Sequence, residues 1–226
     1  MALEKLGAGW TPHVERVVAA LSPGQAVRDG FLPLACRLLD LTVSWNEKMD
    51  LTAAKSTEEL VDLTLADAVA LFGHGALASG TWLDVGSGAG APGVPLALLE
   101  PRVQMTLCEP LQKRVAFLRT LAGSLGVAAR VVRGRSEMLQ PGSAEYAISR
   151  ATLAPPAWLE EGARLATREV WVLLAREAPP SLPGWAVRTD ISCEWPLTGR
   201  QRRLVSFQPL ADETNRQLSR QTAKIA

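Results

Sequence analysis

The sequence predicts an α/β fold in which the strands of a largely parallel sheet alternate with helices. Beyond residue 80, short apolar runs typical of buried strands alternate with longer amphipathic runs typical of crossover helices. The run at 82–86 leads into a glycine-dense turn, and the run at 103–108 is followed by the acid Glu109. Open α/β sheets bind ligands at the carboxyl ends of their strands, so these two strand ends are candidate site elements.

The first third of the chain predicts helices rather than strands. The predicted helices cover residues 11–21, 31–48 and 56–72. Ser22-Pro23-Gly24 separates the first two, and Ser56 followed by Glu59 is typical of a helix N-cap with a capping acid. We therefore expect an N-terminal helical extension over residues 1–73, joined by a linker at 73–80 to the strand-containing part.

The strand-containing part is expected to form one domain over residues 80–210. The predicted strands are 82–86, 103–108, 129–133, 144–149 and 169–175, and the helices between them are 94–99, 111–125 and 156–166. Two further apolar runs, 185–191 and 203–207, predict strands with no strong helix between them. Residues 211–226 read as a basic tail.

The turn at 86–93, Gly-Ser-Gly-Ala-Gly-Ala-Pro-Gly, favours a nucleotide-like ligand. Its glycines permit positive φ and a close approach of backbone to ligand, and the helix that follows presents free amides. The spacing is not that of a dinucleotide loop, and no Gly-Lys-Ser/Thr follows. Asp84, at the strand end, would repel a pyrophosphate but suits a cationic ligand such as the methionine moiety of S-adenosylmethionine. An ordinary tight strand-turn-helix is the alternative.

Glu109 follows the second strand, 25 positions after Asp84. In doubly wound folds an acid at this place accepts hydrogen bonds from an adenosine ribose, whose two vicinal hydroxyls match one carboxylate. Glu109 could also cap the helix at 111–125, and the two roles are compatible.

Composition limits the class of protein. At 226 residues and 47% hydrophobic, the chain can bury one sizeable core. No apolar run approaches the roughly 20 residues that cross a membrane, and the N-terminus lacks a secretory pattern, so we expect a cytoplasmic protein. The three cysteines, Cys36, Cys108 and Cys193, are scattered, so neither a disulfide framework nor a metal site is expected. Cys108 reads as a buried, inert thiol.

The net charge of +1 conceals two basic clusters. Residues 110–135 hold six basic residues and no acid, and residues 196–226 carry a net charge of +4, which leaves the rest of the chain slightly acidic. Local positive potential attracts a phosphate backbone. We expect RNA phosphate contacts at Lys113, Arg114, Arg202 and Arg203. The alternatives are solvated helix faces and, for the last two, protection of an edge strand.

Several segments resemble the RsmG/GidB family, which methylates guanine N7 in small-subunit ribosomal RNA. They are DVGSGAGAPGVPL (84–96), EPLQKRVAFL (109–118) and ISRA (148–151). The box Trp45 to Ala53 is similar to the family's Trp-Asn-x-x-x-Asn-Leu-Thr-Ala. The resemblance covers roughly residues 30–210. It implies a class I, Rossmann-like S-adenosylmethionine-dependent methyltransferase, with a mostly parallel seven-stranded sheet that closes in an antiparallel hairpin.

The resemblance also implies site residues. The candidate cofactor-binding residues are Asp84, Gly86, Gly88, Ala91, Glu109, Ser136, Glu137 and Arg150. Ser136 and Glu137 are expected to flank the adenine. Arg150 follows an apolar strand and is the catalytic candidate, because a guanidinium there could grip a carboxylate or orient the target base. A structural salt bridge to a loop acid is its alternative role.

The chain departs from the family pattern on the RNA-facing side. Thr64-Leu65-Ala66-Asp67-Ala68 stands where His-x-x-Asp-Ser is usual, Asp50 replaces an Asn, and Arg176-Glu177 replaces Lys-Gly. The resemblance predicts methylation of guanine N7 in the decoding-site loop of 16S rRNA by a monomer, acting on the RNA or the small ribosomal subunit. A methyltransferase of the same fold with a small-molecule or protein substrate, and a non-catalytic ribosome-assembly factor, remain open at this point.

Overall fold

The computed structural model describes residues 3–210, and the expected basic tail at 211–226 lies outside them. The strands are β1 (Gly80–Val85), β2 (Val103–Glu109), β3 (Ala129–Arg133), β4 (Ala144–Ser149), β5 (Ala166–Leu174), β6 (Trp185–Glu194) and β7 (Gln201–Pro209). They form one sheet in the order β3-β2-β1-β4-β5-β7-β6. Strands β1 to β5 are parallel, and β7 runs antiparallel to both of its neighbours. The predicted α/β fold, including the closing hairpin, is confirmed.

The helices follow the predicted order. They are α1 (Thr11–Leu21), α2 (Phe31–Asn46), α3 (Thr57–Val61), α4 (Asp67–Gly73), α5 (Gly93–Leu99), α6 (Gln112–Leu125) and α7 (Pro155–Leu165). Ser56 caps α3 by accepting from the Glu59 amide at 3.2 Å. Between α3 and α4 the helix widens into a π-helical segment, Asp62–Ala66, which the sequence did not predict. Such insertions occur frequently at functional sites.

The two faces of the sheet are covered unequally. Successive strand residues point to opposite faces, so Trp82 joins a large hydrophobic cluster while its neighbour Leu83 joins a smaller one. The large cluster contains side chains from α1, α2, α4, α5 and α6, so the N-terminal extension shares one core with the sheet. The smaller cluster forms around α7 and includes Trp158. No helix within residues 3–210 is long and apolar enough to cross a membrane.

Candidate active site at the carboxyl edge of the sheet

The glycine turn after β1 has the backbone that its sequence requires. Gly86, Gly88 and Gly90 have φ of +72°, +50° and +85°, values that side chains strongly disfavour. A Cβ on Gly88 would be in ordinary van der Waals contact with the Gly86 carbonyl at 3.7 Å and with Arg114 Nη1 at 4.0 Å, so its φ rather than crowding favours glycine. By contrast, a Cβ on Gly86 would lie 2.1 Å from the Thr152 hydroxyl oxygen.

Asp84 lies beneath this turn and is only 1% exposed. Its Oδ2 accepts from the Gly93 amide at 3.0 Å, and a Cβ on Gly93 would lie 2.6 Å from that oxygen. Burial raises the pKa of Asp84 to about 7, against the hydrogen bond from Gly93 and the charge of Arg150. In this structure the carboxylate is covered, and its contact with a cofactor stays a prediction. Asp84 anchors the turn to α5 from below, because the turn folds over the strand end and covers the carboxylate.

Glu109 is also buried, with 2% exposure, and both of its oxygens accept backbone amides. Oε2 accepts from Gly88 at 3.0 Å, and Oε1 accepts from Leu111, the N-cap residue of α6, at 2.9 Å. Glu109 thus joins the glycine turn to the start of α6. Each carboxylate oxygen has a second lone pair, but the buried side chain does not line the small cavity at the ends of β1, β2 and β3, and the ribose contact stays a prediction.

A cavity of about 200 Å³ lies beside the ends of β1, β2 and β3. It brings together three of the predicted cofactor residues, Gly86, Ser136 and Glu137, with Thr152 and Leu153 at its other wall. Cys108 also lines it. Burial raises the pKa of the Cys108 thiol to about 11, and its Sγ donates to the Gly134 carbonyl at 3.3 Å, so at neutral pH it is a protonated thiol. Ala91 lies in the turn but does not line this cavity.

Sequence reasoning missed the support of this cavity by Arg164. From α7, its guanidinium donates to the Ser136 carbonyl at 2.8 Å and to the Leu139 carbonyl at 2.9 Å. Glu161 pairs with it at 2.7 Å. These contacts fix the turn that carries Ser136 and Glu137. The only sequence signal was a Glu and an Arg three residues apart, which is common on exposed helix faces.

A second, larger cavity of about 650 Å³ opens at the ends of β4 and β5, and we call it the arginine cleft. Four guanidinium groups line it, with apolar walls between them. They belong to Arg150, Arg176, Arg200 and Arg202. Leu153 lines both cavities, so the two meet at the segment that follows Arg150.

Arg150 lies in this cleft with a side chain that is 20% exposed. Its Nη1 donates to the Leu63 carbonyl in the π-helical segment at 2.6 Å and lies 3.4 Å from Asp67 Oδ2. The alternative salt bridge therefore exists, although its partner is a helix residue rather than a loop acid. Within residues 3–210, no acceptor engages Nε or Nη2, which leaves donors for a ligand.

Asp67 is the buried centre of the cleft's wall. Its oxygens accept from the Trp195 indole at 2.9 Å and from Arg202 at 3.4 Å, and the Arg202 guanidinium stacks 4.8 Å from the Trp195 ring centre. Arg202 is 11% exposed. The neighbouring Arg203 points to the other face of the sheet and pairs with Asp190 at 2.6 Å. A phosphate contact at Arg202 or Arg203 would have to compete with these ion pairs.

The other two predicted RNA contacts, Lys113 and Arg114, are less constrained than Arg202 and Arg203. Lys113 is exposed in the first turn of α6, and Arg114 donates to the Asp50 carbonyl at 3.1 Å. Asn46 holds the Asp50 turn, because its Oδ1 accepts from the amides of Leu51 and Thr52. The Trp45–Ala53 box therefore shapes a surface beside the start of α6.

The remaining departures from the family pattern lie around the cleft. Glu177 accepts from the amides of Ala175 and Arg176 at 2.8 and 3.0 Å, so its carboxylate is turned back on its own backbone. Thr64 is buried in the π-helical segment. No group of acidic, histidine or cysteine side chains within residues 3–210 could hold a metal ion.

Comparison with known proteins identifies the family of the chain. A family model described as rRNA small subunit methyltransferase G (GidB) matches residues 33–174. The "Ribosomal RNA small subunit methyltransferase G" of Anaeromyxobacter dehalogenans (strain 2CP-1) is 34% identical over 68% of this chain and 74% of that protein. The protein of the same name from Xanthomonas campestris pv. campestris (strain B100) is 32% identical over 86% of this chain and 94% of its own length.

Solved structures share the fold at lower identity. A SAM-dependent methyltransferase from Aquifex aeolicus aligns with a TM-score of 0.51 and 17% identity over 74% of this chain and 98% of that chain. The 1,6-didemethyltoxoflavin-N1-methyltransferase of Burkholderia thailandensis aligns with a TM-score of 0.51 and 13% identity over 82% of this chain and 91% of that chain.

Proposed function

The chain belongs to the GidB family of small-subunit rRNA methyltransferases, and from this premise we propose that it methylates guanine N7 in the decoding-site loop of 16S rRNA. It is an enzyme that depends on S-adenosylmethionine. The observation that carries the proposal is the junction of the two cavities at Leu153, one lined by three of the predicted cofactor residues and the other by arginines. A methyl donor in the small cavity and an RNA base in the arginine cleft can therefore approach each other at the segment that contains Leu153.

The residues present fit S-adenosylmethionine. Gly86 of the turn lines the small cavity, and Glu137 stands at the same cavity beside Ser136. A carboxylate such as Glu137 can accept from the adenine amino group. Glu109 is the proposed ribose acceptor, through the lone pairs that the Gly88 and Leu111 amides leave free. When bound, the cofactor supplies an electrophilic methyl group on a sulfonium.

The chemistry of the cleft suits guanine N7. This nitrogen carries an in-plane lone pair and no proton, so its methylation requires no general base. Among the described residues that line the cleft, Glu177 is the only carboxylate, and it is held by backbone amides. Holding the nucleophile near the methyl group can account for about 7–11 kcal/mol of the barrier. We assign Arg150 as the catalytic residue that donates to guanine O6 and directs N7 towards the first cavity.

The RNA itself is proposed to bind as a loop with a splayed base, because the grooves of A-form RNA hide N7. Lys113 and Arg114 would contact its phosphates at the start of α6, on the same edge of the sheet as the glycine turn. We further propose that the protein acts as a cytoplasmic monomer on 16S rRNA or the small subunit.

Mass analysis of nuclease-digested 16S rRNA tests the proposal. RNA from a strain lacking the gene should lose one 7-methylguanosine, and the purified protein with S-adenosylmethionine should restore it to isolated RNA or small subunits. If the rRNA of the deletion strain is unchanged, the substrate is another molecule. If the modification is lost but the purified protein transfers no methyl group to either form of the RNA, the chain acts as an assembly factor.

A further inference from the structure

Asp62, in the π-helical segment, makes a contact that the proposed reaction does not itself use. The residue is fully buried, and its Oδ2 accepts from the Leu197 amide at 3.2 Å and from both the amide and the hydroxyl of Thr198 at 2.8 Å. These donors belong to the turn between β6 and β7. A helix of the N-terminal extension is therefore fastened to the last hairpin of the sheet, 135 residues away.

Only one oxygen of the Asp62 carboxyl is hydrogen-bonded within residues 3–210. Within the described part of the chain, the second oxygen, Oδ1, is buried without a hydrogen-bond partner, and burial raises the pKa of the Asp62 carboxyl despite its three donors. Removing the carboxyl would leave the donors of Leu197 and Thr198 unpaired. A buried carboxyl that joins two segments 135 residues apart points to a role in holding one arrangement of them.

The fastened turn carries one wall of the arginine cleft. The Trp195 amide donates to the Arg200 carbonyl at 2.8 Å across this turn, and Arg202 stacks on the Trp195 ring. One π-helical turn thus holds both walls, since the Leu63 carbonyl binds Arg150 while Asp62 binds the turn that carries Trp195.

We propose that Asp62 is a positioning residue for the target nucleotide, holding the β6–β7 turn so that Trp195, which is only 2% exposed, supports the Arg202 guanidinium from beneath as a fixed wall of the cleft. The proposal rests on the function proposed above for the cleft. The substrate class is the phosphate-linked guanosine of an RNA loop, which the guanidinium groups can contact between the apolar walls of the cleft.

The test compares Asp62→Leu with Asp40→Leu. Asp40 is a matched control because its Oδ1 also accepts three donors, the amides of Leu6 and Gly7 and the Trp10 indole, at a place that lines neither cavity. For each full-length variant, one measures the melting temperature, the Kd for S-adenosylmethionine, and KM and kcat with unmodified small subunits. We call the contact of Asp62 with Leu197 and Thr198 the clamp. Hydrogen exchange of residues 195–200 measures how firmly the clamp holds the turn, and it needs no RNA.

Asp62→Leu should raise KM for the RNA by about five- to tenfold, leave the Kd of the cofactor within about twofold, and speed exchange at Leu197 and Thr198. Asp40→Leu should lower the melting temperature without raising KM. Thr198→Val, which removes only the hydroxyl donor, should raise KM by a smaller factor and serves if Asp62→Leu does not fold.

An equal KM in the Asp62 and Asp40 variants, or a parallel loss of cofactor affinity, would overturn the positioning role. If the wild-type protein methylates no rRNA, the proposed function fails instead, and the hydrogen-exchange result still decides whether the clamp exists.

Discussion

The two cavities of the site are built in different ways. The smaller cavity, of about 200 Å³, is the one that we propose binds the cofactor, and we call it the cofactor cavity. Beside it, the buried acids Asp84 and Glu109 support the backbone and accept from amides of the glycine turn and its following helix and of the start of α6. In the arginine cleft, side chains themselves line the surface, and acids from the helical extension fix their positions. In the first cavity the acids thus act on the backbone beneath the site, whereas in the second they fix the side chains that form its surface.

The largest expected effect is the loss of cofactor binding in Gly86→Val. Its φ of +72° disfavours a side chain, and the new Cβ would displace Thr152 and hence the segment shared by the two cavities. We expect the Kd for S-adenosylmethionine to rise by about 100-fold or more, measured by calorimetry. The control is Gly126→Val, which has a φ of +64°, open space around its Cβ and no place in the site. Unchanged affinity in Gly86→Val would refute the assignment of this cavity.

Glu109→Ala should weaken cofactor binding by about 1–3 kcal/mol, the range for losing a charge-assisted hydrogen bond, and leave rRNA affinity nearly unchanged. Glu109→Gln keeps one acceptor for the Gly88 or Leu111 amide and should lose less. Both variants are measured by calorimetry with the cofactor. A fall in RNA affinity with intact cofactor binding would exclude Glu109 as the ribose acceptor.

Neutralising Lys113 and Arg114 together should weaken RNA binding. The slope of log K against log salt concentration should become shallower by about 0.7–0.9 for each phosphate that the protein no longer neutralises. The corresponding change at Arg202 and Arg203 should flatten it less, because Asp67 and Asp190 already pair with them. RNA affinity across a salt series measures both. Lines parallel to the wild type for the Lys113 and Arg114 variant would mean that these residues are only solvated surface.

The last expected effect concerns stability rather than binding, and is a change in the pH dependence of unfolding in Asp84→Asn. Folding raises the pKa of Asp84 from 3.8 to about 7, so the stability from the protonated group is full below pH 4 and is lost as pH rises to about 7. The wild-type melting temperature should fall relative to that of Asp84→Asn over this interval. Thermal unfolding between pH 4 and 8 measures the difference. A constant difference between the two proteins would show that Asp84 is ionised throughout.

The sequence predicts the strands of the sheet well and the arginine cleft less well. Each strand of the parallel part matches its prediction to within about three residues, because apolar runs between turn residues dictate buried strands. No local sequence pattern predicts the π-helical segment Asp62–Ala66, because the residues to which it hydrogen-bonds, Arg150 and Thr198, are distant in the sequence. Strand alternation could have separated Arg202 from Arg203, as the two point to opposite faces.

The sequence also does not predict how deeply a side chain is buried. The sequence places Asp84 at a strand end and so predicts it at the surface of the turn, but the number of residues in the turn decides what covers that end. The cofactor candidates Gly86, Ser136 and Glu137 lie together as expected, since Gly86 follows β1 and the other two follow β3, and both strands end at the same edge of the parallel part of the sheet.

The clamp between the π-helical segment and the last hairpin also orders events during synthesis. Every residue that lines the cofactor cavity lies between Val85 and Leu153, whereas the cleft needs residues from Leu63 to Arg202. A chain emerging from its N-terminus has therefore exposed all the lining of the first cavity about 50 residues before the second can close. The lining of the arginine cleft is thus completed after that of the first cavity, and a chain that ended before Arg200 would lack part of it.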